Sequence, residues 1–310
     1  MRALVVSNMR PDRAHPERGS FVRDQVAALC MLDGAEVELY EFPPGPRALA
    51  AAGVELRRRY AGRRFDVVHA HFGLTAWPAL AVSARVRALT MHGTDLADPR
   101  TRLATRAVLG LIDLPAAVSE PLAERIPGRA ARRAEVLPCG VDTGRFRPLE
   151  RRAARAQLGL DAATPFLLFG ADPARPEKRH ALAAELAAAA GVELRTLGSV
   201  EPAQVPLWVN AANAVLVPSQ REGFGLAVLE ALACDVPVLA TPVGIHPQAL
   251  AGVEGALCAP FEVGVWLKAL EPLLTGERRV AGREAAERYS ARTMAERVLA
   301  AWERALARAG

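Results

Sequence analysis

The sequence predicts an α/β protein with two doubly wound domains, each a parallel sheet with helices on both faces. Its 310 residues are more than one core usually holds. Short strand-like runs alternate with helical patterns, and this alternation stops near the middle of the chain and then restarts. With 51% hydrophobic and 24% charged residues, the composition is that of a globular protein and excludes the fibrous and disordered classes.

The first half contains six predicted strands, at residues 3–6, 37–40, 67–70, 88–91, 116–119 and 135–137. A passage rich in proline and arginine follows, from Arg145 through Pro148 to a short helical stretch before Pro165, and is interpreted as the linker. Five strands are predicted after it, at residues 166–169, 192–196, 214–217, 236–240 and 256–258, with helices such as 179–190 between them. Ligands of such sheets bind beyond the carboxyl ends of the strands, so a cleft between the domains is expected.

The last predicted helix has one apolar stripe, formed by Met294, Val298, Trp302 and Leu306 at a spacing of four. A stripe of this kind must be buried, either on the helix's own domain or elsewhere.

No apolar run of about 18 residues and no signal peptide is found, which predicts a cytosolic location without a membrane span. The four cysteines, Cys30, Cys139, Cys234 and Cys258, are far apart and include no C-x-x-C pair. Neither a disulfide framework nor a zinc site is expected.

The excess positive charge lies in the first half, with a net charge of +5 in residues 1–150 and zero in residues 151–310. This asymmetry suits an anionic partner such as a membrane face or a phosphorylated acceptor, although a solvated surface explains it equally well. Five arginines within residues 54–64 could meet anionic headgroups or simply form a solvated helix face. Nucleic acid is disfavoured because aromatic residues make up only 5% and no recognition motif accompanies the charge.

Common nucleotide motifs are incomplete or missing. There is no G-x-x-x-x-G-K-[ST] loop, and Gly223-Phe224-Gly225 is followed by Val228 where a G-x-G-x-x-G fingerprint needs glycine. ATPase and dehydrogenase functions therefore lose support. No D-x-D pair is present to hold a divalent ion on a diphosphate, so a site without metal or other cofactor is predicted.

Residues 218–230, PSQREGFGLAVLE, carry the strongest chemical signal, because they follow a predicted strand and open a helix. Glycines let backbone N–H groups approach a ligand, and a helix N-terminus suits phosphate. Glu222 in the loop and Glu230 one turn inside the helix could each accept hydrogen bonds from a sugar diol. The alternative is an N-terminal acidic residue followed by an ordinary helix glutamate.

This passage resembles the E-x7-E motif of the family 4 retaining glycosyltransferases, which have the two-domain GT-B architecture, and residues 231–244 continue the resemblance. The resemblance implies that Glu222 contacts the transferred sugar and that Glu230 holds the ribose of the nucleotide. It implies that Gly223, Phe224 and Gly225 supply the backbone around the donor.

Upstream, Phe169-Gly170-Ala171-Asp172 and Glu177-Lys178-Arg179 resemble the family's diphosphate-binding segment. Lys178 is the predicted cation for the leaving phosphate, since a compact ammonium suits this role, whereas an ordinary surface lysine is the alternative. Arg175, Arg179 or Arg221 could assist, and the sequence leaves open which of these arginines completes the site.

In the first half, residues 15–25 look like the family's glycine loop and first helix, with Gly19 at the close approach. Met91-His92-Gly93-Thr94-Asp95 resembles the H-G-x-D strand end, where the resemblance places His92 near the transferred sugar. His69 and His71 have no further metal ligands in the sequence, so structural or acceptor-facing roles are expected for them.

The similarity spans nearly the whole chain, and in the family the final helix crosses back onto the first domain. The predicted domains are therefore an acceptor-side domain at 1–147 that includes the helix at 291–310, and a nucleotide-sugar-binding domain at 148–290. The segments near Ser7, Gly19 and Phe169 look most like the teichuronic-acid-type polysaccharide glycosyltransferases.

The predicted activity is transfer of a sugar, with retention, from a nucleoside diphosphate donor to a hydroxyl of a saccharide or lipid-linked acceptor in cell-surface polysaccharide or glycoconjugate synthesis. Peripheral contact with the inner membrane face is a further expectation from the basic first half. Two alternatives remain: a nucleotide-sugar epimerase of the same architecture, and a non-catalytic protein that binds sugar nucleotides.

Overall fold

A computed structural model describes residues 1–198 and 200–310, which form two compact units. The first comprises Met1–Gly140 with Ala291–Gly310, and the second comprises Val141–Ser290. Each unit contains one parallel sheet flanked by helices, so the predicted fold class is confirmed. By its contacts the chain enters the second unit at Val141, seven residues before the boundary predicted from the sequence.

The sheet of the first unit has six parallel strands in the order β2-β1-β3-β4-β5-β6. They are β1 (Arg2–Ser7), β2 (Glu36–Glu41), β3 (Arg64–His71), β4 (Ser83–Met91), β5 (Leu114–Ala117) and β6 (Glu135–Val136). Its helices are α1 (Ser20–Cys30), α2 (Pro46–Arg59), α3 (Gly73–Ala79), α4 (Thr94–Ala97), α5 (Pro99–Val108), α6 (Glu120–Ala123) and α7 (Gly128–Ala131), with a 3-10 turn at Leu109–Leu111.

The second unit begins with α8 (Arg151–Gln157) and has five parallel strands in the order β11-β10-β9-β7-β8. The strands are β7 (Phe166–Phe169), β8 (Glu193–Thr196), β9 (Ala214–Val217), β10 (Val238–Ala240) and β11 (Leu257–Cys258). The helices that follow α8 are α9 (His180–Ala189), α10 (Val205–Ala211), α11 (Leu226–Ala233), α12 (His246–Leu250), α13 (Val263–Leu274) and α14 (Arg283–Glu287), with a 3-10 turn at Pro176–Lys178.

Both sheets reverse their strand order at the same relative place. In the first unit β1 lies between β2 and β3, and in the second unit β7 lies between β8 and β9. In sheets of this kind the loops on the two sides of the reversal leave toward opposite faces, so a crevice is expected beyond the carboxyl ends of β1 and β3 and of β7 and β9. These two strand ends are where ligand-binding residues are expected within each unit.

The terminal helix α15 (Ala291–Ala309) belongs to the core of the first unit. Met294, Val298 and Trp302 are buried there together with residues of α1 and the central strands, and Leu306 packs partly buried against the same cluster. The apolar stripe read from the sequence is the buried face of this helix. In the part of the chain that the structure describes, no helix is long and apolar enough to span a membrane.

The passage predicted as a linker packs into the second unit instead. Phe146 is 2% exposed, and Arg151 and Arg155 are each 2% exposed. The Arg151 guanidinium donates to the carbonyls of Gly276 and Arg278 at 2.7 and 3.0 Å. Buried arginines are tolerated where carbonyl groups satisfy their N–H donors, which composition alone does not reveal.

Candidate functional site

A buried ion pair lies beyond the carboxyl ends of β7 and β9. The Lys178 Nζ is 2.6 and 2.7 Å from the two carboxylate oxygens of Glu222. Only 12% of the lysine side chain and 8% of the glutamate side chain are exposed. The Ser219 hydroxyl donates to the same carboxylate at 2.7 Å. An ammonium group and a carboxylate are thus held side by side with little freedom to move.

The loops that carry this pair are tied together by hydrogen bonds. Lys178 ends the 3-10 turn, and Arg179 then adopts a left-handed conformation with φ of 55° before α9 begins. The Arg179 guanidinium donates to the carbonyls of Pro218 and Ser219 at 2.6 and 3.2 Å. The backbone N–H of Gln220 donates to the Glu177 carbonyl at 2.8 Å. Arg179 therefore joins the loop after β7 to the loop after β9.

The glycine turn before α11 needs its glycines for steric reasons. Gly225 has φ of 120°, and a Cβ there would lie 2.6 Å from the His246 Nε2. Gly244 has φ of 59°, and a Cβ on it would lie 2.2 Å from the Phe224 carbonyl oxygen. Among the residues that the structure describes, no side chain caps the N-terminus of α11. The first backbone N–H groups of this helix can therefore serve an anion, as the sequence predicts.

His246, to which the sequence analysis assigned no role, supports this turn from within the unit. Its Nδ1–H donates to the Thr241 carbonyl at 2.8 Å, and the Thr241 hydroxyl donates to the Ser219 carbonyl at 2.5 Å. Burial lowers the pKa of His246, and the charge of Lys178 lowers it further, against opposing effects of the Thr241 hydrogen bond and Glu222. The ring is neutral at pH 7 and leaves the local charge to Lys178 and Glu222.

Arg175 and Arg221 lie near Glu177 at the same loops. The Arg175 Nη2 is 2.6 Å from the Glu177 carboxylate, and 56% of the arginine side chain is exposed. Burial raises the pKa of Glu177, but its backbone hydrogen bond and the charges of Arg175 and Arg221 lower it overall. The structure thus places Arg175 and Arg221 near Glu177, the residue before Lys178, and Arg179 directly after Lys178. Which of them contacts a diphosphate stays a prediction.

Glu230 lies in the second turn of α11 and is half-buried. Burial raises the pKa of the Cys234 thiol to about 12, and the nearby charge of Glu230 contributes to this shift. The contact of Glu230 with a ribose stays a prediction.

The predicted residues of the first unit also lie close together. Gly19 has φ of 69° at the start of α1, and a Cβ there would lie 2.4 Å from the Met9 carbonyl oxygen. The ring of Phe21 in α1 lies 4.9 Å from the ring of His92, which follows β4. The loop after β1 and the end of β4 thus meet at the switch point of this sheet.

Asp95 fixes the backbone around His92, a role that the sequence analysis did not assign. Its carboxylate accepts the backbone N–H groups of Gly73 and His92 at 2.6 and 2.7 Å. Burial raises the pKa of Asp95, opposed by these hydrogen bonds. Asp95 follows His92 by three residues, a spacing that is typical of a turn and visible in the sequence. Its second partner, Gly73, is 22 residues away and could not be found in this way.

His69 and His71 are each 1% exposed. His71 contacts His92 through a hydrogen bond of 2.9 Å between Nδ1 and Nε2. Across residues 1–198 and 200–310, no group of three His, Cys, Asp or Glu side chains is arranged to hold a metal ion.

Comparisons with known protein families divide the chain into two matched segments that correspond closely to its two units. The profile described as "Glycosyltransferase Family 4" matches residues 4–145, and the profile described as "Glycosyl transferases group 1" matches residues 151–276. Among solved structures, the sucrose-phosphate synthase of Thermosynechococcus elongatus has a TM-score of 0.75 at 18% identity, covering 99% of this chain and 100% of that chain. Anabaena HepE in complex with UDP and glucose has a TM-score of 0.70 at 17% identity, covering 98% and 99%. These likenesses support the GT-B fold.

Curated sequences extend the comparison to function. A D-inositol 3-phosphate glycosyltransferase of Actinosynnema mirum is 31% identical, and the alignment covers 86% of this chain and 76% of the relative. The protein of the same name from Pseudarthrobacter chlorophenolicus is 28% identical, with 87% and 76% covered. Since two profiles, a relative of 31% identity aligned over 86% of this chain and both sheets agree, the chain belongs to the family 4 glycosyltransferases.

Proposed function

We propose that this glycosyltransferase moves a sugar, with retention, from a nucleoside diphosphate sugar to a hydroxyl of a saccharide or lipid-linked acceptor. The second unit binds the donor, and the first unit supplies acceptor-side groups, His92 among them. The observation that carries the proposal is the ion pair of Lys178 and Glu222 beside the glycine turn of α11.

The adjacency of these two charges matches the donor. In a nucleoside diphosphate sugar, the leaving phosphate and the transferred sugar are joined by one bond, so a cation and a hydrogen-bond acceptor must also be adjacent. Lys178 and the N-terminus of α11 would stabilise the negative charge that develops on the leaving diphosphate. Glu222 would orient sugar hydroxyls, and Glu230 the ribose.

The charge for the leaving group comes from the chain itself, and we propose that the reaction needs no divalent ion. The side chains suggest no covalent nucleophile, so substitution on one face of the sugar is the mechanism proposed for retention. Transfer in the presence of a chelator, with the anomeric configuration of the product read by proton NMR, tests both statements. Loss of activity that Mg²⁺ or Mn²⁺ restores would refute the first, and an inverted product the second.

The acceptor is the least defined partner. The two curated relatives carry inositol 3-phosphate in their names, and the basic first half of this chain fits a phosphorylated acceptor. The finer assignment to teichuronic-acid-type polysaccharide synthesis predicts a saccharide acceptor instead. Both classes belong in an acceptor screen.

Peripheral membrane contact is proposed for the basic stretch at residues 54–64. In the structure Arg63 pairs with Glu38, and the Arg59 guanidinium lies 5.6 Å from the Tyr60 ring centroid. Arg57 and Arg58 are exposed at the end of α2. Sedimentation with anionic and with neutral vesicles, compared with an Arg57→Ser/Arg58→Ser variant, tests the contact, and binding to neither vesicle would refute it.

The central experiment screens nucleotide sugars by thermal shift and then measures release of nucleoside diphosphate with candidate acceptors. We expect one donor class to raise the melting temperature and Glu222→Gln to abolish most transfer. Isomerised donor without acceptor would favour the epimerase, and donor binding without turnover under any acceptor would favour a binding protein. Unchanged transfer by Glu222→Gln would overturn the site assignment.

A further inference from the structure

Three histidine rings form a row at the carboxyl ends of β3 and β4. The rings of His69 and His71 are stacked with centroids 4.9 Å apart, and those of His71 and His92 with centroids 5.1 Å apart. His69 and His71 are buried, whereas His92 is half-buried. Hydrogen bonds at both ends of the row determine where each ring carries its proton.

The first ring has a fixed tautomer. The indole Nε1–H of Trp302, which can only donate, lies 3.1 Å from the His69 Nδ1, so this nitrogen carries the lone pair. Burial lowers the pKa of His69 to about 3, and the ring is neutral. Its proton is therefore on Nε2 and is donated to the Thr90 hydroxyl at 2.7 Å. The terminal helix thus sets the proton of a ring on the central sheet.

The second hydrogen bond can run in two directions. If His92 donated from Nε2, the lone pair of His71 would be on Nδ1 and its proton on Nε2. The His71 Nε2 is buried and has no partner among residues 1–198 and 200–310. A buried N–H without an acceptor is costly, and unpaired donors are rarer in proteins than unpaired acceptors. The favoured arrangement has the proton of His71 on Nδ1, donated to the His92 Nε2.

We propose that His71 is a positioning residue that holds His92 in the tautomer with its proton on Nδ1, so that His92 presents an N–H donor to the sugar. This inference rests on the proposed function. It assigns His92 the role of hydrogen-bond donor to an oxygen of the substrate and excludes a role as general base, since its Nε2 lone pair is occupied by His71.

The surroundings of His92 suit a fixed donor. The rings of Phe21 and Phe72 lie 4.9 and 4.6 Å from its centroid. Burial is the main cause that lowers the pKa of His92 to about 3. A neutral ring clamped between aromatic rings keeps one orientation, and the hydrogen bond from His71 selects which nitrogen is protonated.

The first test reads the protons directly and needs no substrate. Long-range proton–nitrogen NMR spectra of the protein labelled with ¹⁵N-histidine distinguish the two tautomers, with resonances assigned through His→Gln variants of the six histidines. We expect His92 and His71 to be protonated on Nδ1 and His69 on Nε2. His92 protonated on Nε2 in the unaltered protein would overturn the proposal.

The second test uses matched variants. In His71→Asn the amide N–H can take the place of the Nδ1–H, whereas His71→Leu removes the donor. We expect His71→Leu to shift the His92 proton and to lower kcat about 10- to 100-fold with little change in KM, and His71→Asn to recover most of both. His69→Gln, which keeps a donor toward Thr90, serves as the control for packing and should change kcat less than about threefold. Equal losses in all three variants, or none in His71→Leu, would overturn the positioning role.

The two proposals fail in different ways. If the tautomers are as expected but the unaltered protein transfers no sugar, the proposed function and the role of His92 in it fail together, while the proton placement stands. If transfer occurs but His71→Leu leaves the tautomer of His92 and kcat unchanged, only the inference about His71 fails.

Discussion

The two units of this glycosyltransferase place very different chemistry at the same topological position. In the first unit, the strand ends carry neutral, buried histidines between aromatic rings, whereas in the second they carry a lysine and a glutamate bonded to each other. Both sheets have equivalent strand order, so the fold provides the location twice. The residues that follow each strand then decide whether the location binds through hydrogen bonds or through charge.

The charged side of this comparison predicts the largest effect. Lys178→Met should lower kcat about 10²- to 10³-fold, because the leaving diphosphate loses its nearest ammonium. The chain contains one other lysine, Lys268, which is exposed on α13, so Lys268→Met is the matched control and should keep near-full activity. Steady-state kinetics with the donor found by thermal shift measure both variants. A loss below about fivefold in Lys178→Met would remove the contrast between the units.

The neutral side predicts a dependence of stability on pH. Burial lowers the pKa of His69 and of His92 to about 3. Their ordinary value is about 6.5, so below that pH the unfolded chain binds protons that the folded chain does not. The contribution of the two neutral rings to the free energy of unfolding is therefore complete above pH 6.5 and is lost as the pH falls toward 3.

From pH 8 to pH 5.5 this linkage amounts to about 1.4 kcal/mol for each histidine, or about 3 kcal/mol for the two. Urea unfolding at a series of pH values measures it, with His92→Asn as the comparison that should lose less stability on acidification. The same pH dependence in both proteins would mean that His92 is not neutral by burial.

The glycine turn of the second unit predicts a smaller, steric effect. Gly225→Ala should destabilise the protein by about 2 kcal/mol more than Gly45→Ala, because both have φ of 120° but a Cβ meets His246 only at Gly225. At Gly45 nothing lies within 4 Å of the added atom. Urea midpoints of the two variants give the difference, and equal midpoints would show that the turn yields to the methyl group.

The smallest predicted effect concerns the link from the terminal helix to the histidine row. Trp302→Phe removes the donor to His69 and should cost about 1–2 kcal/mol. Trp77 also donates through its indole, to the Ala104 carbonyl at 3.2 Å, but is 41% exposed. Trp77→Phe should therefore change stability by less than about 0.5 kcal/mol. If both substitutions lower the free energy of unfolding by the same amount, burial does not strengthen the hydrogen bond of the Trp302 indole.

The strands were readable from the sequence because most are short apolar runs, and all eleven predicted strands are present. The largest difference at a strand start is at β4, which begins at Ser83, five residues before its predicted start. In its first five residues the polar Ser83, Arg85 and Arg87 alternate with the apolar Ala84 and Val86, which are less exposed than their neighbours. The beginning of such a strand is predicted as a loop when strands are identified only from continuous apolar runs.

The linker prediction was wrong for a related reason. Arginine and proline are typical of exposed connections, but Arg151 and Arg155 are buried because carbonyl groups of Gly276 and Ala211 accept their N–H groups. These partners are more than 50 residues away in the chain. The local composition around Arg151 and Arg155 therefore could not predict that distant carbonyl groups accept their hydrogen bonds.

For the candidate site, the glycines and acidic residues of the loop after β9 could be named from their spacing alone, since helix starts and close backbone approaches restrict residue type locally. The pairing of Lys178 with Glu222 spans 44 residues, and that of His71 with His92 spans 21. Amino-acid order determined which chemical groups follow which strands. Only the tertiary structure decided which of those groups are in contact. In a parallel sheet, neighbouring strand ends are separated in the chain by whole helices, so a local sequence pattern does not show which ends become neighbours.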